Sequence, residues 1–117
     1  MSLNAKTAAL ILGAVFVAVG ILGFIPNPIV APTGIFATNW AHNVVHIASG
    51  LLILAGAFTA LGASMGLKIV GVVYALVAIL GLFTGSGMLL GLVLVNHADH
   101  ALHVALAGVI LVAGFLL

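Results

Sequence analysis

Charge is what this sequence most lacks. Among 117 residues only 3% are charged, and they are Lys6, Lys68 and a single acid, Asp99. Soluble domains carry about 25% charged residues, so no water-facing surface can be built from this chain. A formal net charge of +1 is too small to attract nucleic acid, whose binding rests on many phosphate-neutralising lysines and arginines. Cysteine is absent altogether, which excludes disulfides, iron–sulfur clusters and thiolate metal sites and leaves the redox compartment unread. Also missing are a glycine-rich phosphate loop, a metalloprotease H-E-x-x-H and any defensible Ser–His–Asp order. Nothing points to an enzyme, and none is expected.

What is present is apolar: 66% of the residues are hydrophobic, so the fitting solvent is lipid. There, backbone polar groups must be satisfied inside helices or closed barrels. A barrel needs alternating strands of about ten residues, whereas long unbroken apolar runs dominate here. The expectation is a single all-α transmembrane domain over 1–117. A crossing helix takes roughly 20 apolar residues, and four segments qualify, at about 7–25, 39–61, 65–83 and 96–117. Pro26-Asn27-Pro28 stops the first, and Thr84-Gly85-Ser86-Gly87 breaks the third. The apolar stretch 88–95 is too short to span and reads as a buried or interfacial segment. Lys6 ahead of an apolar run also fits a cleaved leader, but the run is long for one and the third span copies it. The first span is therefore expected to be retained.

The four spans read as a tandem repeat of two-helix units, at about 5–63 and 64–117. Ile11-Leu12-Gly13-Ala14-Val15-Phe16 resembles Ile69-Val70-Gly71-Val72-Val73-Tyr74, and Ile21-Leu22-Gly23-Phe24 resembles Ile79-Leu80-Gly81-Leu82. The second helices begin Asn39-x-x-His42-x-x-x-His46 and Asn96-x-x-Asp99-x-x-x-His103. Apolar matches arise by chance in so biased a composition; a recurring asparagine and histidine at one spacing rarely do. Each unit has an even number of spans, so both copies keep one orientation, and the implied symmetry is a pseudo-twofold axis along the membrane normal. Both lysines begin odd-numbered spans and share one side, which the positive-inside rule makes cytoplasmic. Both termini then lie in the cytoplasm of a cell (inner) membrane protein, with the histidine motifs at the outer end.

At about 100° per residue, His42 and His46 share a helix face, as do Asp99 and His103. Ionisable groups within a span face the bundle interior, so His42 is expected to approach Asp99 and His46 to approach His103. His100 lies beside the second pair, where water or headgroups can reach it, and His97 turns away at the helix mouth. Asn39 and Asn96 are placed as N-caps, with Asp99 at the third helical position of a capping box. Trp40 reads as an interfacial anchor, and Tyr74 as an ordinary span residue. Glycines such as Gly13, Gly20, Gly23, Gly62 and Gly66 read as packing positions.

Two functions suit this constellation. In the first, the histidines are interhelical glue. The protein is then an accessory or scaffold subunit that packs against a larger membrane complex or itself, with membrane lipids around it. In the second, they are ligands. His46 and His103 could ligate haem or another tetrapyrrole from opposite faces, with Gly50 and Ala107 leaving room for the macrocycle. Alternatively His42, His46, Asp99 and His103 hold a transition metal. The first is favoured narrowly.

The stretch Phe36-Ala37-Thr38-Asn39-Trp40-Ala41-His42-Asn43-Val44-Val45-His46, with Gly50, resembles the signature of a bacterial family of small four-span proteins catalogued as a domain of unknown function. Asn96-His97-Ala98-Asp99-His100-Ala101-Leu102-His103 is similar to that family's second motif, A-D-x-x-L-H. Asn39, His42, His46, Asp99 and His103 are the matching positions. The resemblance implies a four-helix membrane protein and no assigned activity.

Overall fold

A computed structural model describes residues 3–117. It contains four long helices: α1 (Ala5–Leu22), α2 (Trp40–Phe58), α3 (Ala63–Thr84) and α4 (His97–Leu116). At 1.5 Å per residue their 18, 19, 22 and 20 residues reach roughly 27–33 Å, the thickness of a hydrocarbon core. Their mean hydropathies lie between 1.5 and 2.3, so all four are long and apolar enough to cross a membrane. Large apolar side chains such as Phe83, Leu82 and Leu116 stay exposed, as a lipid-facing exterior requires.

Two helix ends depart from the sequence expectation. The first helix stops at Leu22, before the prolines are reached. The Gly23 N–H turns back to the Val19 and Ile21 carbonyls, and Phe24 and Ile25 continue in tighter i→i−3 turns. The second stops at Phe58 rather than near Leu61, because Thr59 is extended and its hydroxyl donates to the Ala55 carbonyl at 2.6 Å. A side chain competing with the backbone in this way ends a helix.

Helices α1 and α2 pack along their length, as do α3 and α4, while α1 and α4 barely meet. Close approach depends on glycine. Gly13 and Gly50 face each other so tightly that a Cβ on Gly50 would fall 2.7 Å from the Gly13 carbonyl oxygen and 2.8 Å from the Val17 nitrogen. In lipid, where burying apolar surface gains little, such backbone-to-backbone packing carries helix association. The apolar core comprises Ala9, Phe16, Ile53, Leu67, Val70, Tyr74, Ala107 and Ile110, all buried. Helices α1 and α3 approach across the bundle, whereas α2 and α4 stand further apart. That wider gap is where the polar residues sit.

Both long loops fold over the same end of the bundle. In the first, β1 (Val30–Ala31) and β2 (Phe36–Ala37) form a short parallel pair. Asn27 organises it: Oδ1 accepts from the Ile29 and Val30 amides, and Nδ2 lies 2.7–3.0 Å from the Leu22, Ile25 and Val30 carbonyls. In the second, β3 (Gly87–Leu89) and β4 (Val93–Val95) form an antiparallel hairpin. This is the conformation taken by the apolar stretch 88–95, with Leu89 and Val95 buried. At its tip Leu90 and Gly91 both have positive φ, 54° and 71°, the signs a type I′ turn demands.

Candidate metal centre

The two asparagines that open α2 and α4 fix the depth and direction of everything below them. Asn39 Oδ1 accepts from the His42 amide at 3.0 Å, and Asn96 Oδ1 accepts from the Asp99 amide at 3.0 Å. Asp99 Oδ2 accepts in return from the Asn96 N–H at 3.0 Å, which completes a capping box. Each asparagine also reaches across the bundle to the other loop. Asn39 Nδ2 donates to the Leu92 carbonyl and its Oδ1 accepts from the Leu94 N–H, while Asn96 Nδ2 donates to the Ile35 carbonyl. The caps thus tie both loops down as a cover over the helix starts. A cap of this kind contributes about 1 kcal/mol.

Beneath the cover lie three buried imidazoles, His42 and His46 from α2 and His103 from α4. One ring nitrogen from each falls within 4.8 Å of the other two. His42 stacks on His46 with centroids 4.9 Å apart, and lies 5.6 Å from His103; His46 and His103 are 6.4 Å apart. Two aromatic rings wall the group. Phe16 stacks on His46 at 5.5 Å, and Tyr74 presents an edge to His103 at 5.8 Å.

Hydrogen bonding sorts the nitrogens. His42 Nδ1 lies 2.7 Å from the Leu94 carbonyl oxygen. A carbonyl only accepts, so Nδ1 is the donor, and in the neutral ring this leaves the Nε2 lone pair free. Metal-binding histidines are oriented in this way by a backbone carbonyl behind the ring. His46 Nδ1 and His103 Nδ1 are buried with no hydrogen-bond partner. Buried polar atoms are nearly always paired, and an unpaired one calls for a reason such as a ligand. The Tyr74 hydroxyl is similarly placed. It is buried with no hydrogen-bond partner, and the Oγ of neighbouring Ser49 donates to the Val45 carbonyl at 2.7 Å.

Asp99 stands outside the three-histidine group. It is buried and within electrostatic reach of His42 and His100. His42 and Asp99 approach one another, but their hydrogen bonds run elsewhere, His42 to the Leu94 carbonyl and the carboxylate to the Asn96 N–H. Each group takes the backbone partner its own cap or loop brings near. His100 also departs from expectation: it is buried, its Nε2 meets the Gly85 carbonyl, and its ring packs against Gly81. His97 and Trp40 are exposed.

The packing beside His46 and His103 leaves little space for a tetrapyrrole. Gly50 is filled against α1 and Ala107 is part of the packed core, so neither leaves room for a macrocycle. The crevice beside His46, lined by Val15, Phe16, Val19, Leu102 and Leu106, holds about 90 Å³, against the 300–1,000 Å³ of ordinary ligand pockets.

Tyr74 and His100 lie closer to the centre than their sequence positions suggest. For the first, the expected repeat would set Tyr74 opposite Phe16, and the two rings meet edge to face at 5.2 Å. Thr38 and Asn43, both buried at the start of α2, had no periodic signal of their own.

Fold and site together define a class: a small multi-pass membrane protein with a buried imidazole cluster under a loop cover. The chain belongs to the family described as Domain of unknown function (DUF4383), whose profile matches residues 6–116. No curated protein and no solved structure matches it.

Proposed function

We propose that this membrane protein holds one transition-metal ion between His42, His46 and His103. The observation that carries the reading is three buried imidazoles with converging nitrogens, two of them with an unpartnered Nδ1. Nitrogens bound to one metal at about 2.0–2.1 Å sit roughly 3.4–3.6 Å from each other. Here they lie at most 4.8 Å apart, so binding draws them together by at most about 1.2–1.4 Å. The test is thermal unfolding of chelator-stripped protein in mild detergent with zinc, copper, nickel or iron added. Ligand at 100 times its Kd stabilises the folded state by about 2.7 kcal/mol, so the wild-type midpoint rises and that of His46→Ala/His103→Ala does not. No rise with any ion would leave the imidazoles as interhelical glue.

A second reading is an accessory subunit that packs against a larger complex or a second copy. It is favoured by the loosely closed α1–α4 seam, an apolar groove lined by Leu3, Ile11, Leu12, Val104, Gly108 and Val112. Copurification from native membranes in mild detergent tests it. The two readings are compatible.

The tandem repeat with its pseudo-twofold axis is part of the same proposal. It is supported by contacts that recur one repeat apart: Gly13 against Leu54 and Gly71 against Leu111, then Gly23 against Asn43 and Gly81 against His100. Lys6 and Lys68 start α1 and α3, at the end opposite the loops. The positive-inside rule then puts both termini in the cytoplasm and the metal centre near the outer face.

A further inference from the structure

We infer that the ion this centre takes is monovalent copper, an assignment that rests on the metal reading above and adds charge and coordination number to it. Imidazole ligates as a neutral group, so the ion's own charge stays in the bundle. The chain has one acid, Asp99, buried within electrostatic reach of His42 and already accepting from the Asn96 amide. A monovalent ion with this carboxylate makes a neutral pair. A divalent ion leaves an uncompensated positive charge, and the Born cost of burying an ion rises with the square of its charge, about fourfold from one to two.

Ligand number points the same way. Structural zinc takes four protein donors, and catalytic zinc completes its shell with water or substrate. Among the described residues the cluster offers three nitrogens. The side chains packed on them include Phe16, Tyr74, Val15, Val19, Leu102 and Leu106, none of them a carboxylate, and Asp99 stands outside the group. Imidazole suits copper, and monovalent copper, a closed-shell ion, is content with three donors in a plane.

The test compares two ions on one protein. Full-length chain in mild detergent is stripped with chelator, then titrated anaerobically with ascorbate-reduced copper against a colorimetric copper(I) chelator. Zinc is titrated in parallel against a zinc indicator. The expected result is one copper(I) per chain, bound at least about tenfold more tightly than zinc. Affinity should fall in each of His42→Ala, His46→Gln and His103→Gln by more than the roughly 10–100-fold that loss of an outer-shell partner brings, with His97→Ala unchanged. The glutamine variants keep a polar side chain in place, and helical circular dichroism checks that they fold. One zinc per chain bound as tightly as copper(I) overturns the ion assignment and keeps the metal centre. A folded wild-type chain that retains neither ion overturns the centre itself.

Discussion

Replacing Gly50 with alanine adds one methyl group where the backbones of α1 and α2 meet. Its Cβ would sit 2.7 Å from both the Gly13 carbonyl oxygen and Val17 Cγ2, and 2.8 Å from the Val17 nitrogen. Ordinary contact begins near 3.4 Å, so the helices must part by about 0.7 Å, and two of the three atoms are backbone that cannot rotate away. Overpacking of this kind costs about 1–3 kcal/mol. Alanine returns about 0.8–1.0 kcal/mol through its better helix propensity, which blurs the result for one variant taken alone. Gly108 supplies the control, because a Cβ there meets nothing within 4 Å and Gly108→Ala keeps the propensity gain without the clash. The propensity term cancels between the two, so Gly50→Ala should be less stable than Gly108→Ala by about 1–3 kcal/mol. Reversible unfolding in mixed SDS and mild-detergent micelles, followed by helical circular dichroism, reads the difference. Equal stabilities would refute the close approach of α1 to α2, and with it the depth assigned to His46 one turn away.

Asn96→Ala removes the cap of α4, its bond to Ile35 and its side of the capping box, and should cost about 2 kcal/mol in the same unfolding assay. Leu90→Asn relieves a branched residue at positive φ and should stabilise the hairpin by roughly 1 kcal/mol, read as slower amide exchange in β3 and β4. His100→Ala strips the Gly85 carbonyl of its partner and should cost about 1–3 kcal/mol, whereas exposed His97→Ala should stay within about 0.5 kcal/mol. The absence of native cysteine makes single-cysteine labelling clean. Thr33→Cys and Ser86→Cys should react with an impermeant maleimide on intact cells and Ala60→Cys only after lysis; the reverse pattern overturns the orientation.

The spans were legible because length and hydropathy alone decide what crosses lipid, and the asparagine caps because their chemistry is local. Helix ends were less so. Pro26 is a strong breaker, but α1 had already ended at Gly23, whose N–H finds carbonyls within the last turn, and sequence periodicity does not register that. The loop strands were invisible: two- and three-residue ladders carry too little alternation to read, and Asn27 looked like part of a proline break rather than the hub of five contacts. In the centre, the face shared by His42 and His46 followed from helical spacing. The partner chosen by each polar group did not, since the Leu94 carbonyl reaches His42 from 52 residues away through a hairpin that no local pattern announced. Gly50 misled in the opposite direction. A small residue near a histidine reads as room for a cofactor, and here it is room for the backbone of α1.

The most direct measurement is metal content. Wild-type chain and the His42→Ala/His46→Ala/His103→Ala variant would be purified from membranes without added metal or chelator and analysed by inductively coupled plasma mass spectrometry, with X-ray absorption on the wild type. A buried three-imidazole centre gives close to one first-row transition metal per chain, ringed by nitrogen at about 2.0 Å, and none in the variant. A well-folded wild type as metal-free as the variant would contradict it.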